Sequence, residues 1–169
     1  AILAAVGMVF APSLGVLAEV PSPELRQERG GLDEPDRVDR APVAARRGDP
    51  RQVLEVVQSL GYSEVVLNRW RHMPLTQSVP LTDAAREGRP RWLSSRADWL
   101  THYPHLQHET SNGAAVALPL LVKGRALGAI GLSFAQARSF NEDDRAFFTA
   151  VAHACAQAID RAQLYEEER

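Results

Sequence analysis

One cysteine, Cys155, stands in a chain of 169 residues. That leaves no internal disulfide and no cysteine-based zinc cluster. Such usage fits a reducing compartment, and a cytoplasmic protein is expected. Neither sign of charge is in excess. The 19 Lys and Arg residues offset 21 Asp and Glu residues, for a net charge of −2, so composition gives no electrostatic case for a nucleic-acid partner. A Gly-rich phosphate loop of Walker type, a nucleophile elbow and an HExxH helix are all absent, which removes the chemistries those motifs carry. No internal repeat occurs. Long hydrophobic runs are also missing. Ala1 to Ala18 carries no charge, but Gly7, Pro12, Ser13 and Gly15 interrupt it and no basic flank precedes it. A strand or hairpin fits this run better than a membrane span or a signal segment, with Pro12-Ser13-Leu14-Gly15 as a turn between two β-rich pieces. The chain starts with Ala and ends within a helical pattern, and is expected to be part of something longer.

What is present divides the chain in three. Residues 1–20 read as the first strand or strands. Residues 21–50 hold prolines, glycines and charges of both signs, with few large apolar side chains (Leu25, Leu32, Val38 and Val43). Such a stretch cannot bury enough surface to offset its ordering entropy, and reads as a disordered insertion. Residues 51–169 form the main body. Val53 to Gly61 reads as a strand, although its length also allows a short helix. Tyr62-Ser63-Glu64 opens a helix through Trp70. Met73 to Leu81 reads as extended, Thr82 or Asp83 to Glu87 as a short helix ended by Gly88 and Pro90, and Pro90 to Leu93 as a brief strand. Ser94 or Ser95 caps a helix through Tyr103, which Pro104 stops, and His105 to Gly113 is a polar loop.

The last third is the most informative. Val116, Leu118, Leu120 and Val122 alternate along a strand whose other face is also largely apolar. Pro119 demands a sheet edge, a bulge or an N–H that points away from a partner. Lys123-Gly124-Arg125 forms a tight turn. The next strand runs to Phe134, and Gly128 and Gly131 leave room for a packed helix more readily than for a ligand. Ser139 or Asn141 then caps a long helix with Glu142, Asp143 and Asp144 in its first turn, where the helix dipole favours acids. Phe148, Val151, Cys155, Ala158, Ala162 and Tyr165 recur at spacings of three and four, a heptad-like seam among alanines. From Glu142 to Arg169 this helix would extend about 42 Å at ~1.5 Å per residue, long enough to overhang the domain.

The stretch PLLVKGRALGAIGLSF, followed by RSFNEDDRAFFTAVAHACAQAIDRAQLYEEE, resembles the C-terminal half of a GAF domain, in particular the GAF domains of actinobacterial signalling proteins. GYSEVVLNRWRHMPL, VPLTDAAREGRPRWL and DWLTHYPHL fit the same family. The resemblance covers Val53 to Arg169 well and Ala1 to Val20 loosely. It implies an α+β fold: an antiparallel sheet of five or six strands, the long helix on one face, and short helices and loops on the other. It also implies a ligand pocket on the loop side, where Trp70, Met73, Trp92, Trp99 and Tyr103 are candidate wall residues. A small core beneath the loops is the alternative reading of the same aromatics. The resemblance further implies a homodimer paired through the C-terminal helix, and a covalently linked effector, either a PPM-type phosphatase or a histidine kinase.

Other candidate chemistry is weaker. Cys155 lies on the helical seam, and His153 points to another face, so a buried structural thiol is expected. GAF-type enzymes that reduce free methionine sulfoxide use several cysteines, and bilin-binding relatives carry theirs in the pocket half. His102, His105 and His108 are closely spaced, but Pro104 breaks the helix that would align them, and no complete ligand set accompanies them. No haem, bilin or metal signature is present, and the cofactor is unknown. Asn141-Glu142-Asp143-Asp144 lacks the Asn-Lys-Phe order of cyclic-nucleotide GAF domains. Arg69, Arg71 and His72 beside Trp70 could meet an anion, but a solvated helix face explains them. The leading expectation is a non-catalytic sensory domain that binds a small molecule. A ligand-free dimerisation module is the alternative, and a thiol- or histidine-dependent enzyme a third reading.

Overall fold

A computed structural model describes residues 13–19, 53–60, 62, 64–109 and 113–168. The expected insertion at 21–50 and the N-terminal piece before residue 13 lie outside the described residues. The architecture is α+β. Among the described residues, six strands form one sheet in the order β3-β2-β1-β6-β5-β4, and every neighbouring pair is antiparallel. The strands are β1 (Ser13–Glu19), β2 (Val53–Leu60), β3 (His72–Pro74), β4 (Arg91–Leu93), β5 (Ala114–Val122) and β6 (Arg125–Phe134). The helices are α1 (Glu64–Trp70), α2 (Pro80–Glu87), α3 (Arg96–His102) and α4 (Glu142–Glu167), and a 3-10 turn spans Pro104–Leu106.

β1 lies in the middle of the sheet and pairs with both β2 and β6. Ser13, Leu14 and Gly15 belong to this strand rather than to the turn expected there, since each pairs with β6. The Val53 segment is a strand, resolving the strand-or-helix alternative. α2 begins at Pro80, earlier than expected. Proline suits the first helical position, where a missing N–H costs nothing, and Thr82 Oγ1 accepts the Val79 N–H at 3.2 Å just ahead of the helix. Asn141 is the residue that caps α4, its Oδ1 accepting the Asp144 N–H at 2.8 Å. Pro119 fits inside β5 because β4 pairs only with Ala115 to Ala117, so among the described residues no strand pairs with that side of β5 at Pro119.

The sheet has two differently built faces. Val116, Leu118 and Leu120 of β5 and Ile130, Leu132 and Phe134 of β6 pack with Phe148, Ala152, Ala156 and Ile159 of α4. Their partners along the strands are small: Ala115 and Ala117 on β5, Ala129, Gly131 and Ser133 on β6. Strand alternation sends these small residues to the opposite face, where α2 crosses both strands. A Cβ on Gly131 would come within 3.0 Å of Leu81 Cδ2. The room that Gly131 leaves is thus taken by α2, a packed helix.

Candidate functional site

The small-residue face does not close completely. α1, α2 and α3 lie over it, with β3 at the sheet edge, and leave a cavity of about 150 Å³. Ala115, Ala117, Gly131 and Ser133 form the floor, and Trp70, Met73, Val79, Leu81, Trp99 and Leu106 are among the walls. Tyr62 crosses from the start of α1 and donates its hydroxyl hydrogen to Ser133 Oγ at 2.8 Å. Burial pushes the Tyr62 phenol upward, and the Ser133 hydrogen bond only partly opposes this. Glu109 stands at the cavity and is held by Arg69 Nη2 at 2.5 Å, while the Arg69 guanidinium lies 5.9 Å from the Trp70 ring. Trp99 is 6% exposed, and its buried Nε1–H has no hydrogen-bond partner among the described residues.

Beneath the wall lies a polar hub. Asp83 is buried. It accepts hydrogen bonds from Tyr103 Oη at 2.9 Å, from Ser78 Oγ at 3.1 Å and from Arg86 Nη2. Arg86 Nη1 also reaches the Leu75 carbonyl at 2.6 Å. The hub joins α2, the end of α3 and the 75–79 loop, which fixes the frame around the cavity. Burial drives the Tyr103 phenol far above its ordinary range, and the hydrogen bond to the Asp83 carboxylate adds to this.

Three of the expected wall residues meet at the cavity: Trp70, Met73 and Trp99. Tyr103 is buried under it and serves the hub instead. Trp92 corrects the expectation. It pairs with Val116, whose side chain faces α4, so it lies on the other face of the sheet. There its ring is 5.4 Å from that of Phe140 and 6.4 Å from that of Phe148, and Arg145 lies 5.1 Å over it. Trp92, Tyr103, His102 and Arg145 instead border a second cleft, of about 270 Å³, at the β4 edge. The residues missed in the sequence are Tyr62 and Ala115, Ala117 and Ser133 of the floor, where only Gly131 was read as leaving room. The signal for the floor was the small side chain at every second position of β5 and β6.

The expected seam of α4 also divides. Phe148 is buried against the sheet and Cys155 packs beside it, whereas Ala158, Ala162 and Tyr165 are exposed and Val151 is half-buried. The domain's own core takes one side of the stripe. Burial pushes the Cys155 thiol up, away from the thiolate form. The histidines go separate ways: His102 Nδ1 lies 2.9 Å from the Asp98 carbonyl, His105 Nε2 lies 2.7 Å from the Ser78 carbonyl, and His108 is exposed. Among the described residues, no group of three or more His, Cys, Asp and Glu side chains could hold a metal ion, and no helix is long and apolar enough to cross a membrane. Arg71 Nη2 bonds Asn68 Oδ1 at 3.1 Å on an exposed surface.

Solved structures share this fold. The GAF domain/HD domain protein from Geobacter sulfurreducens superposes with a TM-score of 0.60 at 15% identity, covering 92% of this chain and 84% of that one. The second GAF domain of DevS from Mycobacterium smegmatis gives a TM-score of 0.57 at 19% identity, covering 92% and 86%. The type II free methionine-R-sulfoxide reductase from Thermoplasma acidophilum is more distant, with a TM-score of 0.50 at 14% identity over 64% and 71%. A search of curated proteins finds no match. The GAF domain family profile matches residues 32–160. That match spans more than half the chain, and the chain therefore belongs to the GAF domain family, whose members are commonly sensory or regulatory modules of signalling proteins.

Proposed function

We propose that this chain is a non-catalytic sensory domain of a bacterial signal-transduction protein, acting in the cytoplasm. A small molecule enters the cavity between the sheet and α1–α3, and α4 carries the response to a linked effector, a PPM-type phosphatase or a histidine kinase. The observation that supports this reading is the cavity itself. It is concave, largely apolar and lined by aromatics, with a few polar groups at defined points, as small-molecule sites are. The same strands that form its floor carry α4 on their other face, so a shift of the floor reaches α4 through one layer of side chains. A ligand moves such an equilibrium only as far as it binds the two arrangements differently.

The 26 residues of α4 extend about 39 Å at ~1.5 Å per residue. Phe147, Leu164 and Tyr165 on it are exposed, which supports pairing with α4 of a second copy. The same exposure also favours a second reading, a ligand-free dimerisation module. Thermal-shift screening with small metabolites, cyclic nucleotides and haem separates the two. A ligand at a hundred times its Kd raises Tm by about 5–10 °C, whereas no shift with any compound favours the structural module.

A further inference from the structure

We infer that Ser94 and Arg138 form a strap around the β4 edge of the sheet, which makes α3, a wall of the cavity, and the start of α4 move as one unit. The strap is a second route from cavity to α4, around the sheet rather than through it. Its regulatory use rests on the sensory reading above.

The two helices serve opposite faces of the sheet. Trp99 of α3 lines the cavity, while Phe148, Ala152 and Ile159 of α4 pack on the other face. β4 is an edge strand, and Ser94 directly follows it. Both backbone polar groups of Ser94 are engaged, one toward each helix. Its N–H donates to Asp98 Oδ2 at 2.7 Å. Asp98 lies in the first turn of α3, and its own N–H donates to the cap residue Ser95 at 3.3 Å. The Ser94 carbonyl accepts the Arg138 N–H at 2.9 Å. Ser94 thus belongs both to the capped start of α3 and to the segment that leads from β6 into α4.

Arg138 carries the strap on to α4. Its guanidinium lies 4.8 Å from the Phe134 ring centroid, 5.8 Å from that of Phe140 and 5.7 Å from that of Phe148. Its Nη2 stands 3.4 Å from Asp144 Oδ1. Phe140 and Phe148 are buried, and Asp144 and Phe148 belong to α4. A planar guanidinium set among ring faces and a carboxylate is held in orientation as well as in place. A shift of α3 that takes Ser94 with it therefore displaces residue 138 and the first turns of α4. Such coupling is reciprocal, so loosening the α4 end must also loosen α3. Arg138 is a positioning residue in this scheme and acts through Ser94.

The test is amide hydrogen exchange of the chain without ligand, followed residue by residue in ¹H–¹⁵N spectra. In the unsubstituted chain the amides of Trp99, Arg138 and Phe148 should open with one shared urea dependence, as members of a cooperative unit do. Asp98→Ala frees Ser94 from α3. It should speed exchange at Phe148 by roughly fivefold, the weight of a lost helix cap, and leave Ile159 unchanged. Arg138→Ala should speed exchange at Trp99, which a purely local role beside α4 would not do. In the double variant, the effect of Asp98→Ala on Phe148 should vanish. The strap is overturned if Asp98→Ala acts on Phe148 equally with and without Arg138, if Ile159 changes as much as Phe148, or if Trp99 ignores Arg138→Ala. Should Arg138→Ala fail to fold, the unsubstituted chain decides: separate urea dependences for Trp99 and Phe148 overturn the strap. No ligand enters the measurement, so an empty ligand screen bears on the sensory reading alone, and a failed strap leaves the ligand site standing.

Discussion

Tyr103 donates its hydroxyl hydrogen to Asp83 Oδ2 at 2.9 Å, and both residues are almost wholly buried. This bond links the end of α3 to the middle of α2, the two helices that frame the cavity. A hydrogen bond to a buried carboxylate is worth about 1.5–3 kcal/mol, so Tyr103→Phe should lower unfolding stability by about that amount in urea titrations near neutral pH. The bond also predicts a pH dependence. Tyr103 holds its proton more tightly in the folded chain than at the ordinary tyrosine value of 10.0. Its contribution is therefore complete below pH 10 and declines as pH rises beyond that, when the unfolded chain ionises first. Above pH 10 the unsubstituted protein should lose stability more steeply than Tyr103→Phe. Parallel slopes would mean that Tyr103 is not desolvated as described.

Gly113 offers a test of the β5 entry. Its N–H donates to the Phe134 carbonyl at 2.9 Å, and a Cβ there would sit 2.3 Å from the backbone carbonyl carbon of Gln136. Backbone cannot step aside as a side chain can. Gly113→Ala should destabilise the domain by about 1–3 kcal/mol, the range for forced overpacking, measured by thermal or urea unfolding. A neutral substitution would show that the 135–137 bend lies elsewhere.

Much of the fold was legible in the sequence, and the failures share one cause. Strand alternation and the Lys123-Gly124 turn identify β5 and β6, and the Asn141 cap with its acidic first turn identifies α4. Trp92 was misplaced because a three-residue strand has no readable alternation of its own. Only its pairing with Val116 tells which face it takes. Phe148 and Cys155 were read with Tyr165 as one seam, since spacing along a helix does not say where the sheet beneath it ends. The cavity floor escaped notice because alanine and glycine read as weak strand formers, when on paired strands their smallness is what makes the space. Tyr62 is joined to Ser133 across 71 positions, a distance no local pattern spans.

Cys155 packs against the α4-side core, and burial raises its thiol. Its reaction with a disulfide reagent near pH 8 should be slower than that of a free cysteine, because less of it is thiolate. Cys155→Ala should leave the fold and any ligand binding unchanged. A rate above that of free cysteine would reopen the thiol-enzyme reading.

Leu164 and Tyr165 are 53% and 71% exposed on α4. If they pair with a second copy, sedimentation should show a dimer of the unsubstituted chain, and Leu164→Glu with Tyr165→Glu should weaken it at least tenfold without lowering Tm of the monomer. A chain that stays monomeric at high concentration would remove the pairing.

The central claim is that the space over Ala115 and Ser133 is a ligand site, and filling it tests this most directly. Ala115 is 5% exposed and lines the floor. Leu at this position would occupy the cavity, with a stability cost below the usual ~1–3 kcal/mol of overpacking because the space already exists. Calorimetric titration of the compound that raises Tm most in the thermal-shift screen into the unsubstituted chain and into a folded Ala115→Leu variant should give binding in the first and none in the second. Equal binding by both would place the ligand elsewhere and contradict the account.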